Sequence, residues 1–175
     1  MAAMQPSAIR EIFKNMSDPS IIPFAGGNPS QDAFPVKELE NIARIIFENN
    51  PTAALQYSVT EGYPQLREAA KQFADRREPG LVKEGNGCVI TSGAQQAIQL
   101  AAQCLVDEGD TVLCENPTFI GALNAFRTCR AKLVGIDLEE DGISIDGLEA
   151  AIRDEPRAKL LYLIPNFQNP TGVTM

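Results

Sequence analysis

Apolar residues recur at helical spacing twice in the first half of the chain and in short strand-like runs throughout the second. Val36, Leu39, Ile42, Ala43 and Ile46 share one face of a helix that Pro35 can open and that runs through about Glu48. Asn49-Asn50-Pro51 ends it. A polar stretch, LQYSVTEGYP, leads into a second helix from about Pro64 to Arg77, with Leu66, Ala69, Ala70 and Phe73 inward. Before these helices, Ile9, Ile12 and Phe13 suit a short helix or arm, and IIPFAGGNPSQDAFP reads as an extended segment turning at Gly26-Gly27.

From Gly87 the pattern alternates. CVITS predicts a strand, AQQAIQLAAQCLV a helix, TVLCE a second strand, and Ile120 to Arg127 a short helix. AKLVGI predicts a third strand, and Asp146 with Glu149 forms a capping box for the helix GLEAAIRDE. KLLYLIP predicts a fourth strand, apolar on both faces as a buried parallel strand is. Strands alternating with helices indicate an α/β fold with a parallel sheet.

Composition narrows the function. Fifteen Lys and Arg stand against 23 Asp and Glu, a net charge of −8. That balance argues against nucleic acid as a partner, since phosphate-backbone binders need clustered cations. No apolar run approaches the roughly 18 residues that read as a membrane span, and MAAMQPSAIREIF lacks the regions of a signal peptide. The chain has no histidine, which removes Ser-His-Asp triads, Cys-His dyads and His-bearing zinc sites; no metal site is expected. Cys88, Cys104, Cys114 and Cys129 contain no CxxC pair, and three lie in stretches that read as buried, so reduced thiols and a cytoplasmic location are expected.

Three polar motifs carry candidate chemistry. Ser92-Gly93-Ala94-Gln95-Gln96 opens a helix after a strand, where orphan N–H groups and the helix dipole suit an anion such as phosphate; it also reads as an ordinary strand-to-helix turn. Glu115-Asn116-Pro117-Thr118-Phe119 follows the next strand, and its ring can stack on a planar cofactor or seat the following helix in the core. Pro165-Asn166-Phe167-Gln168-Asn169-Pro170-Thr171-Gly172 is a polar turn whose Asn amides can meet a ring hydroxyl or a carboxylate. Together, at successive predicted strand ends, they form the wall of a pocket for a phosphorylated aromatic ring.

SGAQQA, ENPTF and PNFQNPTG, with PSAIREI, FAGGNPSQDAFP and LQYSVTEGYPQLREA in the same order, resemble the fold-type-I pyridoxal-phosphate enzymes of the class I/II aminotransferase family. The resemblance is closest to the branch holding 2-aminoadipate and kynurenine aminotransferases. It implies part of the mainly parallel-sheet large domain of the aspartate aminotransferase-like fold, preceded by an N-terminal arm. Residues 1–50 would be the arm and a small-domain segment, and 51–175 the first part of the cofactor domain. It implies pyridoxal 5′-phosphate as cofactor, with Gly93, Ala94 and Gln95 on the phosphate, mainly through backbone N–H groups. Phe119 would stack on the pyridine ring, and Asn169 would hydrogen-bond the ring's phenolic oxygen. Gly27 would let the substrate carboxylate approach the backbone, Tyr57 would reach the site of the other subunit of a homodimer, and Arg10 would meet the distal group of the substrate. The implied substrates are an α-amino acid and a 2-oxo acid such as 2-oxoglutarate.

In that family the Schiff-base lysine, the carboxylate on the pyridine nitrogen and the arginine on the substrate's α-carboxylate all follow NPTG. Here three residues follow Gly172, and Lys14, Lys37, Lys71, Lys83, Lys132 and Lys159 match no such motif. The chain is therefore expected to be the N-terminal portion of an aminotransferase, inactive alone. Two functions on the same fold stand as alternatives: the effector domain of a transcription regulator, disfavoured because no basic recognition helix precedes the arm, and a pyridoxal-phosphate-dependent lyase.

Overall fold

A computed structural model describes Ser20 and residues 29–175. Gly27, Arg10 and the expected arm around Ile9, Ile12 and Phe13 lie outside the described residues. Two units are distinguished, one of residues 91–175 and one of the described residues up to Ile90.

In the N-terminal unit a 3₁₀ turn at Gln31–Ala33 precedes α1, Val36–Asn49. Arg44 bonds both carboxylate oxygens of Glu48 one turn on, at 2.9 and 2.8 Å, an exposed pair that supports the helix only modestly. The stripe expected to face inward is not buried within this unit: Leu39, Ile42 and Ile46 stay between 43 and 58% exposed. Pro51 does more than end α1; it takes the first turn of a short unforeseen helix, α2, Pro51–Leu55. Helix α3 spans Pro64–Arg77 as expected, and Arg77 lies 5.1 Å from the centroid of the Phe73 ring.

The segment CVITS is not a strand. Within the N-terminal unit the Cys88 carbonyl accepts from Arg67 Nε at 2.6 Å, and Ile90 N–H donates to the Glu61 carbonyl at 2.9 Å. Those backbone groups are satisfied one at a time by a side chain and a loop, so no ladder forms.

The C-terminal unit holds helix α4, Ala94–Leu105, then strand β1, Thr111–Asn116, and helix α5, Ile120–Thr128. Strand β2, Lys132–Glu139, turns through Gly142 into the two-residue β3, Gly142–Ile143. Helix α6, Ile145–Asp154, and strand β4, Ala158–Tyr162, follow. The sheet order is β3-β2-β1-β4. β1 pairs in parallel with β2, from Thr111 opposite Lys132 to Asn116 opposite Asp137, and with β4 through Val112 opposite Leu160. β2 and β3 pair antiparallel, so the sheet is mixed and mostly parallel. The cap of α6 also differs from expectation: Ser144, not Asp146, is the N-cap, its Oγ accepting from Gly147 N–H at 3.4 Å.

The core sits where α4 and α5 cover β1. Ala102, Val106, Val112, Ala122 and Phe126 are buried, with Tyr162 of β4 meeting the Phe126 ring edge-on at 5.6 Å. All four cysteines are unpaired; Cys114 is buried, and burial raises its thiol pKa, keeping it protonated, whereas Cys104 is exposed.

At the opposite end of the strands from the candidate motifs, carboxylates and cations close the sheet. Arg157 reaches Asp110 at 2.8 Å and Lys132 reaches Glu155 at 2.6 Å. The Asp107 N–H and then Arg157 hold the Asp110 carboxyl below its ordinary pKa, and Lys132 does the same for Glu155. A lowered native pKa means the unfolded chain binds more protons. The stability from these groups is therefore complete above the unfolded carboxylate values, about 4, and is lost as pH falls through the native ones. Urea midpoints should be flat from pH 7 to about 5 and decline below about 4. Asp110→Asn should flatten that decline, and an unaltered acid slope in the variant would remove Asp110 from the account.

Candidate active site

The site grows from the ends of two helices and two strands of the C-terminal unit. Gly93 is the N-cap of α4, with φ +80° and ψ 171°, a backbone region that essentially only glycine occupies. A Cβ at Gly93 would meet nothing within 4 Å, so its requirement is conformational and the space above it is open. Gly93 N–H is committed to the Thr91 carbonyl at 2.9 Å, and Ser92 N–H to Gln96 Oε1. The first-turn N–H groups of Ala94 and Gln95 have no intrahelical acceptor, and no side chain caps them. With the Gln96 N–H, which likewise has no acceptor, they are the donors this turn presents, at the positive end of the helix dipole. Gly93 thus shapes the turn, and the free donors belong to the next three residues.

The Gln95 side chain is exposed but committed to a backbone partner. Its Nε2 donates to the Gly121 carbonyl at 2.9 Å, which ties the start of α4 to the start of α5. Phe119 is the N-cap of α5, and its half-buried ring packs against the core cluster. Its ring edge and Gln95 Oε1 together fill the space that a Cβ on Gly121 would take, closer than real side-chain contacts allow. Of the two readings of Phe119 from sequence, the ring that seats the following helix in the core is observed, and the residue also stands beside the anion-suited turn.

Asn169 lies on the turn after β4, exposed, with no hydrogen bond to its side-chain amide. Its neighbour Gln168 is 2% exposed and spans to the loop after β1, donating to the Pro117 carbonyl and to Glu115 Oε2, each at 2.9 Å. The two motif loops both contain a cis X-Pro bond, Asn116-Pro117 and Asn169-Pro170. Sequence reasoning singled out neither Glu115 nor Gln168. The available signal was a lone carboxylate closing the apolar run TVLC, which demands buried donors from elsewhere in the chain.

The structure therefore brings Gly93, Ala94, Gln95 and Phe119 together and links Asn169 to them through Gln168. Two of the three motifs lie at carboxyl ends of neighbouring sheet strands, β1 and β4; SGAQQ follows the non-strand segment instead. Tyr57 belongs to the other unit, where it is 98% exposed and its N–H donates to Gln56 Oε1. Among the described residues, no helix is long and apolar enough to cross a membrane.

The residues present fit a phosphorylated aromatic cofactor: unpartnered N–H donors in the first turn of α4, open space at the helix start, a flat ring beside it and a free amide at the neighbouring strand end. The 2-aminoadipate transaminase of Thermus thermophilus is 40% identical over 169 residues, 97% of this chain and 41% of that protein. An uncharacterized HTH-type transcriptional regulator of Escherichia coli is 31% identical over 169 residues, 95% of this chain and 35% of that protein. Among solved structures, the Pyrococcus horikoshii kynurenine aminotransferase in complex with PMP superposes with a TM-score of 0.90 at 35% identity, over 98% of this chain and 43% of that one. The chain thus spans about two fifths of the length of the curated aminotransferase it matches. The family described as aminotransferase class I and II matches residues 19–175, and the chain belongs to it.

Proposed function

We propose that this chain is the N-terminal part of a pyridoxal-phosphate-dependent aminotransferase that moves an amino group from an α-amino acid to a 2-oxo acid, with 2-oxoglutarate as acceptor. The observation that carries the reading is the pair of unpartnered N–H groups at Ala94 and Gln95 beside the Phe119 ring. Ala94 and Gln95 N–H groups bind the phosphate, and Gly93 holds the turn that aims them. Phe119 fixes the plane of the pyridine ring through its π face. The Asn169 amide donates to the ring's phenolic oxygen, favouring its deprotonated form. Bound pyridoxal phosphate supplies the electron sink for breaking bonds at the substrate's α-carbon. Gly27 admits the substrate carboxylate close to the backbone, Arg10 meets its distal group, and Tyr57 serves the site of a second subunit in a homodimer. Residues 1–50 form the arm and a small-domain segment, and 51–175 the first part of the cofactor domain. The protein works in the cytoplasm without nucleic acid.

The denatured mass tests the first part: about 19 kDa marks a fragment and a mass near twice that marks the whole enzyme. In the full-length protein, Asn169→Ala should displace the cofactor's visible absorbance and raise the pH at which it titrates. An unchanged spectrum would remove Asn169 from the ring. Amino transfer to 2-oxoglutarate supports the enzyme; release of ammonia would favour a lyase, and DNA retention without turnover a regulator.

A further inference from the structure

We propose that Glu115 and Gln168 are positioning residues: a buried strap that fixes the Phe119 ring relative to the Asn169 amide and so tunes the cofactor without touching it. The proposal rests on the reading of the site given above.

Glu115 is the last buried residue of β1 and is 1% exposed. Among the described residues no lysine or arginine pairs with it; three hydrogen-bond donors hold it instead. Thr118 Oγ1 and Gln168 Nε2 each donate to Oε2 at 2.9 Å, and Ile164 N–H donates to Oε1 at 2.8 Å. Gln168 is fully used as well. Its second N–H goes to the Pro117 carbonyl, while its Oε1 accepts from Thr171 N–H at 3.0 Å and Thr171 Oγ1 at 2.8 Å. Its backbone is fixed too, with N–H to the Val173 carbonyl at 2.8 Å and its own carbonyl accepting from Gly172 N–H at 2.6 Å.

A buried carboxylate without a cation is costly, and apolar residues would fill the same space more cheaply. What the polar pair adds is direction. The three donors to Glu115 come from the loop after β1, the end of β4 and the turn beyond it. Thr118 immediately precedes Phe119, and Gln168 immediately precedes Asn169. Each functional side chain is thus one residue from an anchor, and the two anchors meet on one carboxylate oxygen. A network in which every member is satisfied has one low-energy arrangement, so the ring and the amide are held in one relative placement.

The test uses the full-length protein loaded with pyridoxal phosphate and follows cofactor absorbance against pH, cofactor dissociation and thermal melting. Gln168→Leu keeps the volume and removes both donors. It should move the absorbance titration in the same direction as Asn169→Ala and weaken cofactor binding about tenfold. Glu115→Gln, which keeps the shape but sets an amide donor against one of the three donors that converge on the carboxylate, should do the same and serves if Gln168→Leu does not fold. A lowered melting temperature with the titration and the affinity unchanged would make the strap merely structural and overturn the proposal. If these variants leave the spectrum alone while Asn169→Ala shifts it, the proposal fails and the reading of the site survives. If Asn169→Ala also leaves it unchanged, both fail together.

Discussion

Gly121→Ala is expected to weaken cofactor binding by one to two orders of magnitude, although alanine is the better helix former by about 1 kcal/mol. The added methyl would fall on the edge of the Phe119 ring and on Gln95 Oε1. Gln95 is the tip of a flexible side chain and can yield, but yielding breaks its bond to the Gly121 carbonyl and loosens the start of α4 from α5. The ring is less free, because its other side rests on the core. Overpacking of this kind costs about 1–3 kcal/mol, which the helix preference partly offsets, so the net loss of stability should be small. The loss of affinity is larger, since an ångström-scale misplacement of a positioning group costs on the order of a hundredfold. Titration of the full-length apoprotein with pyridoxal phosphate, alongside a urea curve, separates the two. Parent-like affinity in the variant would mean that the Phe119 ring does not define the cofactor plane.

Phe126→Ala is expected to produce the largest stability loss in the C-terminal unit, about 3–5 kcal/mol. Phe126 is 1% exposed and touches both layers of the unit: α4 through Ala102 and Val106, and the sheet through Val112 and Tyr162. Truncation leaves a void between a helix pair and a parallel strand, elements whose backbone bonds resist collapse into it, and it removes the edge-to-face partner of Tyr162. Against the roughly 5–15 kcal/mol typical of a domain this is at least about a fifth of the total. The shift in urea midpoint measures it, and a loss under about 1 kcal/mol would show that the site relaxes more than this packing allows.

Much of the fold is legible where local and tertiary preferences agree. Pro64 opens α3 because proline suits a helix's first turn whatever surrounds it, whereas Pro35, expected as the first helical residue, stands one position earlier as the N-cap of α1. TVLC forms a strand buried on both faces because it lies in the middle of the sheet, whereas KLLY, expected to be buried on both faces, forms an edge strand with Lys159 and Leu161 exposed. CVIT has the same composition and fails, because a strand is a property of a pair and the Cys88 and Ile90 backbones find Arg67 and Glu61 instead of a neighbour. The hairpin at β3 escapes notice for the opposite reason: two residues, Gly142 and Ile143, have no periodicity to read. Ser144 takes the cap assigned to Asp146 because the chain's turn out of β3 fixes which side chain faces the first helical N–H groups.

At the site, Gly93, Ala94, Gln95, Phe119 and Asn169 can be singled out because each lies in a short local motif. Which N–H groups are free cannot be read that way: Gly93 N–H is lost to Thr91 by a turn whose closure depends on φ. The Glu115–Gln168 contact is harder still. The partners are 53 residues apart, and only Glu115, the lone carboxylate closing TVLC, stands out in its own segment.

That separation has a consequence for how the sequence can drift. A carboxylate at 115 is tolerable only while position 168 supplies a donor, and a donor at 168 is stranded if 115 turns apolar. Single substitutions at either position cross an unfavourable state, so across descendants of this chain the two positions should change in step or stay still. Asn169 and Phe119, each free of such a partner, should vary independently of one another. Paired change at 115 and 168 among diverged sequences would be the imprint of a buried hydrogen bond gained or lost as a unit.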